Sequence, residues 1–150
     1  MTCTFDTNVL IYALVKPPDE KGERARQLLK RCTRDSGALL TFQALAEFSH
    51  VAIRKFAVRA AEVQRRINIW RRIIPIHTAG DGDLDLALRL VSAHRLGFWD
   101  ALMCATAERA GVDHLLSEDM QDGRRLGALT IVNPFRAENA RLVDRILPPD

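Results

Sequence analysis

Short apolar runs alternate along this chain with longer stretches whose apolar residues recur at helical spacing. Residues 2–5, 38–41, 114–117 and 129–132 read as strands, and 74–76 as a short extended piece, where Pro75 suits a sheet edge. Between them the spacing predicts a helix starting near Asn8 and helices over 20–34, 42–56, 59–73 and 81–96. An alanine-rich helix opens at Trp99-Asp100 and ends near Gly111, and residues 137–147 predict a terminal helix. Such alternation implies an α/β fold, a parallel central sheet flanked by helices. At 150 residues the chain is the size of one domain, spanning 1–150. Right-handed crossovers then bring the carboxyl ends of the strands to one edge, where open sheets of this kind bind ligands.

The residues just past each strand therefore matter most, and they are acidic. Asp6 stands immediately after the first strand. Glu47 falls in the second turn of the helix after the second strand. Asp119 lies two residues beyond the 114–117 strand, and Asp100 in the first turn of the helix before Gly111. Each has a plainer reading. Asp6 and Asp100 can serve as helix N-caps, and Asp119 can be a turn residue, with Glu118 and Asp122 sharing its loop. Glu47 is harder to explain away, because on a helical projection it borders the apolar stripe of Ala44, Phe48 and Val51. A carboxylate there needs a partner or a cation. Four carboxylates in one cleft repel unless a cation compensates, and oxygen ligands of this kind suit Mg²⁺ or Mn²⁺.

Other chemistries are poorly served. Cys3, Cys32 and Cys104 are odd in number and form no C-x-x-C, which speaks against a disulfide framework or a zinc site and for buried thiols in a reducing cytoplasm. His50, His77, His94 and His114 lie far apart, so metal chemistry falls to carboxylates. The longest unbroken apolar run covers 9–15, seven residues, against the roughly 20 of a membrane span. No basic stretch precedes an apolar one at the N-terminus, so no secretory signal is expected. The net charge of +3 hides a concentration. Between positions 54 and 72 stand Arg54, Lys55, Arg59, Arg65, Arg66, Arg71 and Arg72, with Glu62 the one acid. That is either a solvated helical face or a surface for a polyanion.

Five segments in order carry a resemblance. F-D-T-N-V-L-I-Y from Phe5, L-A-E-F from Leu45, F-W-D-A-L from Phe98, L-L-S-E-D-M-Q-D-G from Leu115 and V-N-P-F from Val132 together resemble the PIN domain family, more narrowly its VapC-type toxin ribonucleases. The match covers 1–135; 136–150 is an extension beyond the point where many relatives stop. The resemblance implies a PIN-like sheet, a Mg²⁺- or Mn²⁺-dependent endoribonuclease, a cognate antitoxin protein and a homodimer in the cytoplasm, with no membrane contact. It places the family's four acids at Asp6, Glu47, Asp100 and Asp119, with Asp6 and Asp100 at the positions usually assigned to the metal. Asn8 and Ser117 match supporting polar positions, and Asp122 is grouped with them.

The reaction this implies is metal-assisted hydrolysis of an RNA phosphodiester. Arg65, Arg66, Arg71 and Arg72 would hold the RNA backbone near the acids, because an acidic cleft does not attract a polyanion unaided. Trp70 or Trp99 would be a stacking platform, although core packing is the expectation for Trp99. Three rivals stand beside it. A phospho-accepting receiver domain needs a second acid near the first strand and a late lysine, and no lysine occurs after Lys55. A non-catalytic PIN interaction module would not need all four acids. A PIN nuclease with an RNA-processing role outside toxin–antitoxin pairs uses the same site.

Overall fold

The computed structural model describes residues 1–149. Strand β1 (Cys3–Phe5) organises the main sheet. It pairs in parallel with β4 (His114–Leu116), which pairs in parallel with β6 (Leu129–Val132), so that Phe5, Leu116 and Val132 end in register at one edge. All three strands are buried along most of their length, with only His114 and Thr130 half-buried, as in a sheet covered on both sides. The short β5 (Arg125–Leu126) adds antiparallel to β6, giving the order β1-β4-β6-β5. Strand β5 has no counterpart among the expected elements. It is a two-residue strand joined to β6 by a tight turn with Gly127 at φ +62°, too short to show a period.

On the other side of β1 the expected 38–41 strand is narrower than the pattern suggests. Only Leu40–Thr41 (β2) pairs, in parallel with β3 (Ile76–His77). Ala38 meets β1 in a single bridge to Cys3. The turn before it puts Gly37 at φ +76°, and a Cβ there would stand 2.6 Å from the carbonyl oxygen of Met1, so only glycine fits.

Most of the helices start where a side chain can satisfy free N–H groups. Asp6 caps α1 (Thr7–Leu14), Asp19 caps α2 (Glu20–Lys30), and Thr41 caps α3 (Phe42–Phe56). Helix α4 (Ala60–Ile73) returns the chain to β3. In α5 (Asp81–His94) the Asp83 carboxylate accepts from the N–H of Gly80, and α6 (Phe98–Arg109) begins after Gly97. The expected helix over 20–34 stops at Lys30. Ser36 Oγ accepts from the N–H of Thr33 and donates to its carbonyl, pulling the chain into a turn. Helix α1 packs on α2 and α3, and α5 on α6, around Phe5, Leu10, Leu28, Phe48, Met103 and Leu115, all in the core. Cys3, Cys32 and Cys104 are free thiols within this core.

The C-terminal segment is docked. A 3₁₀ turn (Ala137–Asn139) leads into α7 (Ala140–Ile146), where the sequence predicts one continuous helix over 137–147. Val143, Ile146 and Leu147 are buried, each worth about 2 kcal/mol of apolar transfer. Arg31, just past the end of α2, donates to Asp144 at 2.7 Å and to the carbonyl of Leu147 at 3.0 Å.

Candidate active site

The acids gather where β1 and β4 end. Asp6 continues the β1 ladder, its N–H donating to the Leu116 carbonyl at 2.9 Å. Its Oδ1 accepts from the N–H of Thr7 at 2.7 Å and its Oδ2 from Ser117 Oγ at 2.7 Å. Asp6 is thus a helix cap, and the same two bonds lock its carboxylate in one orientation at the strand ends. Only 7% of it is exposed. Burial pushes its pKa up to about 6, and the nearby charges of Asp100 and Asp119 push the same way. The hydrogen bonds from Ser117 and Thr7 oppose that shift without cancelling it.

Glu47 arrives from α3. Thr7 Oγ1 donates to its Oε2 at 3.0 Å, and Gln43, one turn earlier on the same helix, donates to its Oε1 at 2.7 Å. The Gln43 amide also donates to the Trp99 carbonyl at 2.8 Å, which ties α3 to the start of α6. Asp100 is the third residue of α6; Gly97 holds the cap position, so Asp100 is not the N-cap that its sequence neighbours suggest. Its carboxyl pKa is raised, first by partial desolvation and then by the charges of Glu47 and Asp119. Asp6, Asp100 and Asp119 therefore feel one another's charge, and Glu47 joins them through Asp100. None of them pairs with a Lys, Arg or His among the described residues.

The loop after β4 sorts its three acids. Glu118 turns away to accept from Tyr12 of α1 and Lys21 of α2. Burial acts to raise its pKa, but those two donors and the Lys21 charge win and lower it. Asp122 also turns away. It accepts from the N–H of Asn133 at 2.8 Å and from the Asn139 amide at 2.9 and 3.1 Å, which ties down the far end of the loop. Asp119 is left exposed and in reach of Asp6 and Asp100.

The donor set suits a hard, hydrated divalent ion rather than a fully caged one. Among the described residues no three Asp, Glu, His or Cys side chains converge tightly enough to enclose an ion. Mg²⁺ asks for less, because it keeps several waters and takes one or two carboxylates. Asp6 and Asp100 meet that demand. In the first turn of α1, both polar atoms of the Asn8 amide are buried without a hydrogen-bond partner, a cost that a hydrated ion or a phosphate beside them would offset.

Two expectations about other residues come out differently. Trp70 is buried and packs edge-to-face on Phe48 at 4.9 Å, whereas Trp99, expected in the core, is 64% exposed. Trp99, Phe42, His50 and Leu102 line a groove of about 630 Å³ that Glu47 shares. The arginines of α4 are not brought to the acids. Arg65 is engaged by Glu62 at 2.7 and 2.9 Å, and Arg66 stands 3.7 Å from the same acid. The carbonyl of Arg72 accepts from Arg34, on the turn that feeds β2, so Arg71 and Arg72 sit at the amino end of the sheet. Thr7 and Gln43 are site residues that the sequence reading missed. Their signals were present: Thr7 is the neighbour of Asp6, and Gln43 stands one helical turn before Glu47.

A family model described as PIN domain matches residues 3–124. No curated protein matches the sequence. Solved structures do. One from a toxin–antitoxin complex of Klebsiella pneumoniae superposes with a TM-score of 0.67 at 20% identity, covering 90% of this chain and 99% of that one. VapC20 of Mycobacterium tuberculosis, a toxin that cleaves the sarcin–ricin loop, gives 0.65 at 16% identity, covering 79% and 90%. FitAcB of Neisseria gonorrhoeae gives 0.63 at 15% identity, covering 90% and 99%. At such identities the likeness is one of fold.

Proposed function

The chain belongs to the PIN domain family, and from there we propose that it is a metal-dependent endoribonuclease, the toxin of a toxin–antitoxin pair. One observation carries the proposal: at the strand ends Asp6 feels the charges of Asp100 and Asp119, and Asp100 those of Glu47 and Asp119, with no ion pair to a Lys, Arg or His among the described residues. Burial and the neighbouring acids push the Asp6 pKa up to about 6, the kind of perturbation that clusters at functional sites.

Mg²⁺ or Mn²⁺, when bound, supplies a Lewis acid for the phosphate and lowers the pKa of a water. Asp6 and Asp100 would hold it. Ser117 and the N–H of Thr7 fix the Asp6 carboxylate, so little reorganisation is needed on binding. Thr7 and Gln43 do the same for Glu47. Asp119, free and exposed at the mouth, would orient the attacking water. The Asn8 amide would hydrogen-bond that water or a phosphate oxygen. Arg65, Arg66, Arg71 and Arg72 would contact RNA backbone running beyond the cleft rather than the scissile phosphate.

A cognate antitoxin belongs to this reading because similar folds are described from toxin–antitoxin complexes, including VapBC2 of Rickettsia felis, described as bound to a promoter DNA fragment. Exposed Phe42, Leu84, Leu88 and Trp99 support a protein contact, and a homodimer is the form proposed. No helix is long and apolar enough to cross a membrane among the described residues, and the three buried thiols suit the cytoplasm. The test is cleavage of single-stranded RNA by the purified chain. Cutting should require Mg²⁺ or Mn²⁺, stop with EDTA and vanish in Asp6→Asn. Undiminished cutting in EDTA, or no cutting of any RNA with metal present, overturns the reading.

A further inference from the structure

The loop from Ser117 to Gly123 carries Asp119, and it is held from three directions. At its start Ser117 Oγ donates to Asp6 and accepts from the N–H of Met120 at 3.3 Å. At its side Glu118 is held by Tyr12 and Lys21. At its far end Asp122 takes both of its carboxylate oxygens to the Asn139 amide, and one of them also to the N–H of Asn133. Arg136 Nη1 adds a longer contact to the same carboxylate, at 3.7 Å. Asp119 itself makes no side-chain hydrogen bond among the described residues. Its place beside Asp6 and Asp100 is set by its neighbours.

Asn133, Arg136 and Asn139 all lie beyond residue 124, where the family match ends. They belong to a segment with its own anchor. Val143 and Leu147 of that segment are fully buried, and Arg31 holds both Asp144 and the Leu147 carbonyl. Arg31 comes directly after α2, and α2 also supplies Lys21, the partner of Glu118. Lys21 at the side and Asn139 at the far end thus trace to one body, α2 with the C-terminal segment packed on it, while Tyr12 of α1 shares the hold on Glu118.

We infer that the C-terminal segment 133–147 is a brace for the candidate site, and that Asn139 is the positioning residue through which it sets where Asp119 stands. The inference rests on the nuclease reading for its purpose, but not for its geometry. Groups that orient the residues around a metal cost about 10- to 100-fold in affinity or rate when removed.

The test uses the full-length protein and four readouts: melting temperature, hydrogen exchange of the Asp119 and Met120 amides, Mn²⁺ affinity without RNA, and kcat against KM for RNA cleavage. Asn139→Ala should speed exchange in this loop, weaken Mn²⁺ about tenfold and lower kcat about tenfold. KM for RNA and the melting temperature should stay near wild type. Asn139→Asp, which sets a like charge against Asp122, should do worse. Adding Asp122→Asn to it should restore most of the loss, because the donor and acceptor are then exchanged. If Asn139→Ala leaves Mn²⁺ affinity and kcat unchanged, the brace is overturned. The same holds if every variant loses function only as it loses melting temperature and the double exchange restores nothing. RNA left uncut by the wild type removes the nuclease reading, while exchange and Mn²⁺ binding still decide the brace. A wild type that binds no Mn²⁺ overturns both.

Discussion

At the carboxyl edge of the sheet four acids stand without a Lys, Arg or His partner among the described residues, whereas on α4 the acid Glu62 lies among arginines and takes two hydrogen bonds from Arg65. The acids are drawn from four separate stretches of chain, and Asp6 is buried. The α4 charges come from one helix and are largely solvated; Arg65, Arg71 and Arg72 are exposed. Salt-screened surface charge contributes little to stability in either direction. Charge gathered at strand ends and half-withdrawn from water is costly, and the fold bears that cost at one place. Charge density alone therefore does not find a site. The deciding property is whether the charge has been left uncompensated.

The contrast between the two regions depends most on Asp6 and Asp100. Asp6→Asn and Asp100→Asn should each lower cleavage at least about a hundredfold. Neither should lower the metal-free melting temperature, because asparagine caps α1 as well as aspartate does and a mutual repulsion is relieved. Cleavage and melting temperature both unchanged in Asp6→Asn would make Asp6 a cap and nothing more.

The next effect is on stability against pH. Asp6 has its folded pKa raised from 3.8 to about 6 by burial. Its stabilising contribution is therefore full below about pH 4 and is lost as pH rises through 6, a change of about 3 kcal/mol. Metal-free protein should melt lower at pH 7 than at pH 5 on this account, and the Asp6→Asn variant should lack that slope. Calorimetry across the interval checks it. A flat wild-type profile would mean that Asp6 is better solvated than its burial indicates.

A smaller effect is expected at Ser117, which donates to Asp6 and so opposes the raised pKa. Ser117→Ala should lower cleavage at neutral pH about tenfold and move the acid limb of the pH–rate profile upward. The smallest effect belongs to the basic helix. Replacing Arg65, Arg66, Arg71 and Arg72 with alanine should leave kcat unchanged and flatten the salt dependence of RNA affinity by about one log–log unit per lost phosphate contact. An unchanged slope would make the α4 face a solvated surface with no part in RNA binding.

How far the chain could be read from its residues depends on how local each cause is. Phe42–Phe56 and Leu129–Val132 match their expected bounds because the signals lie beside the segment itself: Thr41 before the one, Asn133-Pro134 after the other. The acids at the strand ends were legible for the same reason, since Asp6, Glu47 and Asp119 come soon after their strands. Helix α6 starts at Phe98, one residue before the expected Trp99, which leaves Asp100 in the first turn as expected and gives the cap position to Gly97. Trp99 could not be placed, because its exposure depends on α3 and the Thr78–Ala79 connection leaving a groove open beside it. The partners of Glu118 and Asp122 were also out of reach. Tyr12 and Lys21 are about a hundred positions away, and Asn139 belongs to a tail with no motif of its own.

The sulfur chemistry of the chain has a practical side. Cys3, Cys32 and Cys104 are sealed in the core, and burial pushes the Cys32 and Cys104 thiols up to about 12 and the Cys3 thiol higher still. Thiolates are the nucleophiles that labelling reagents capture, and at neutral pH these three supply almost none. A cysteine introduced at an exposed position such as Gln121 would react alone, in a background already silent without a single native cysteine being replaced. The loop that carries Asp119 can therefore report its own motion through a spin label or fluorophore set into the unaltered fold.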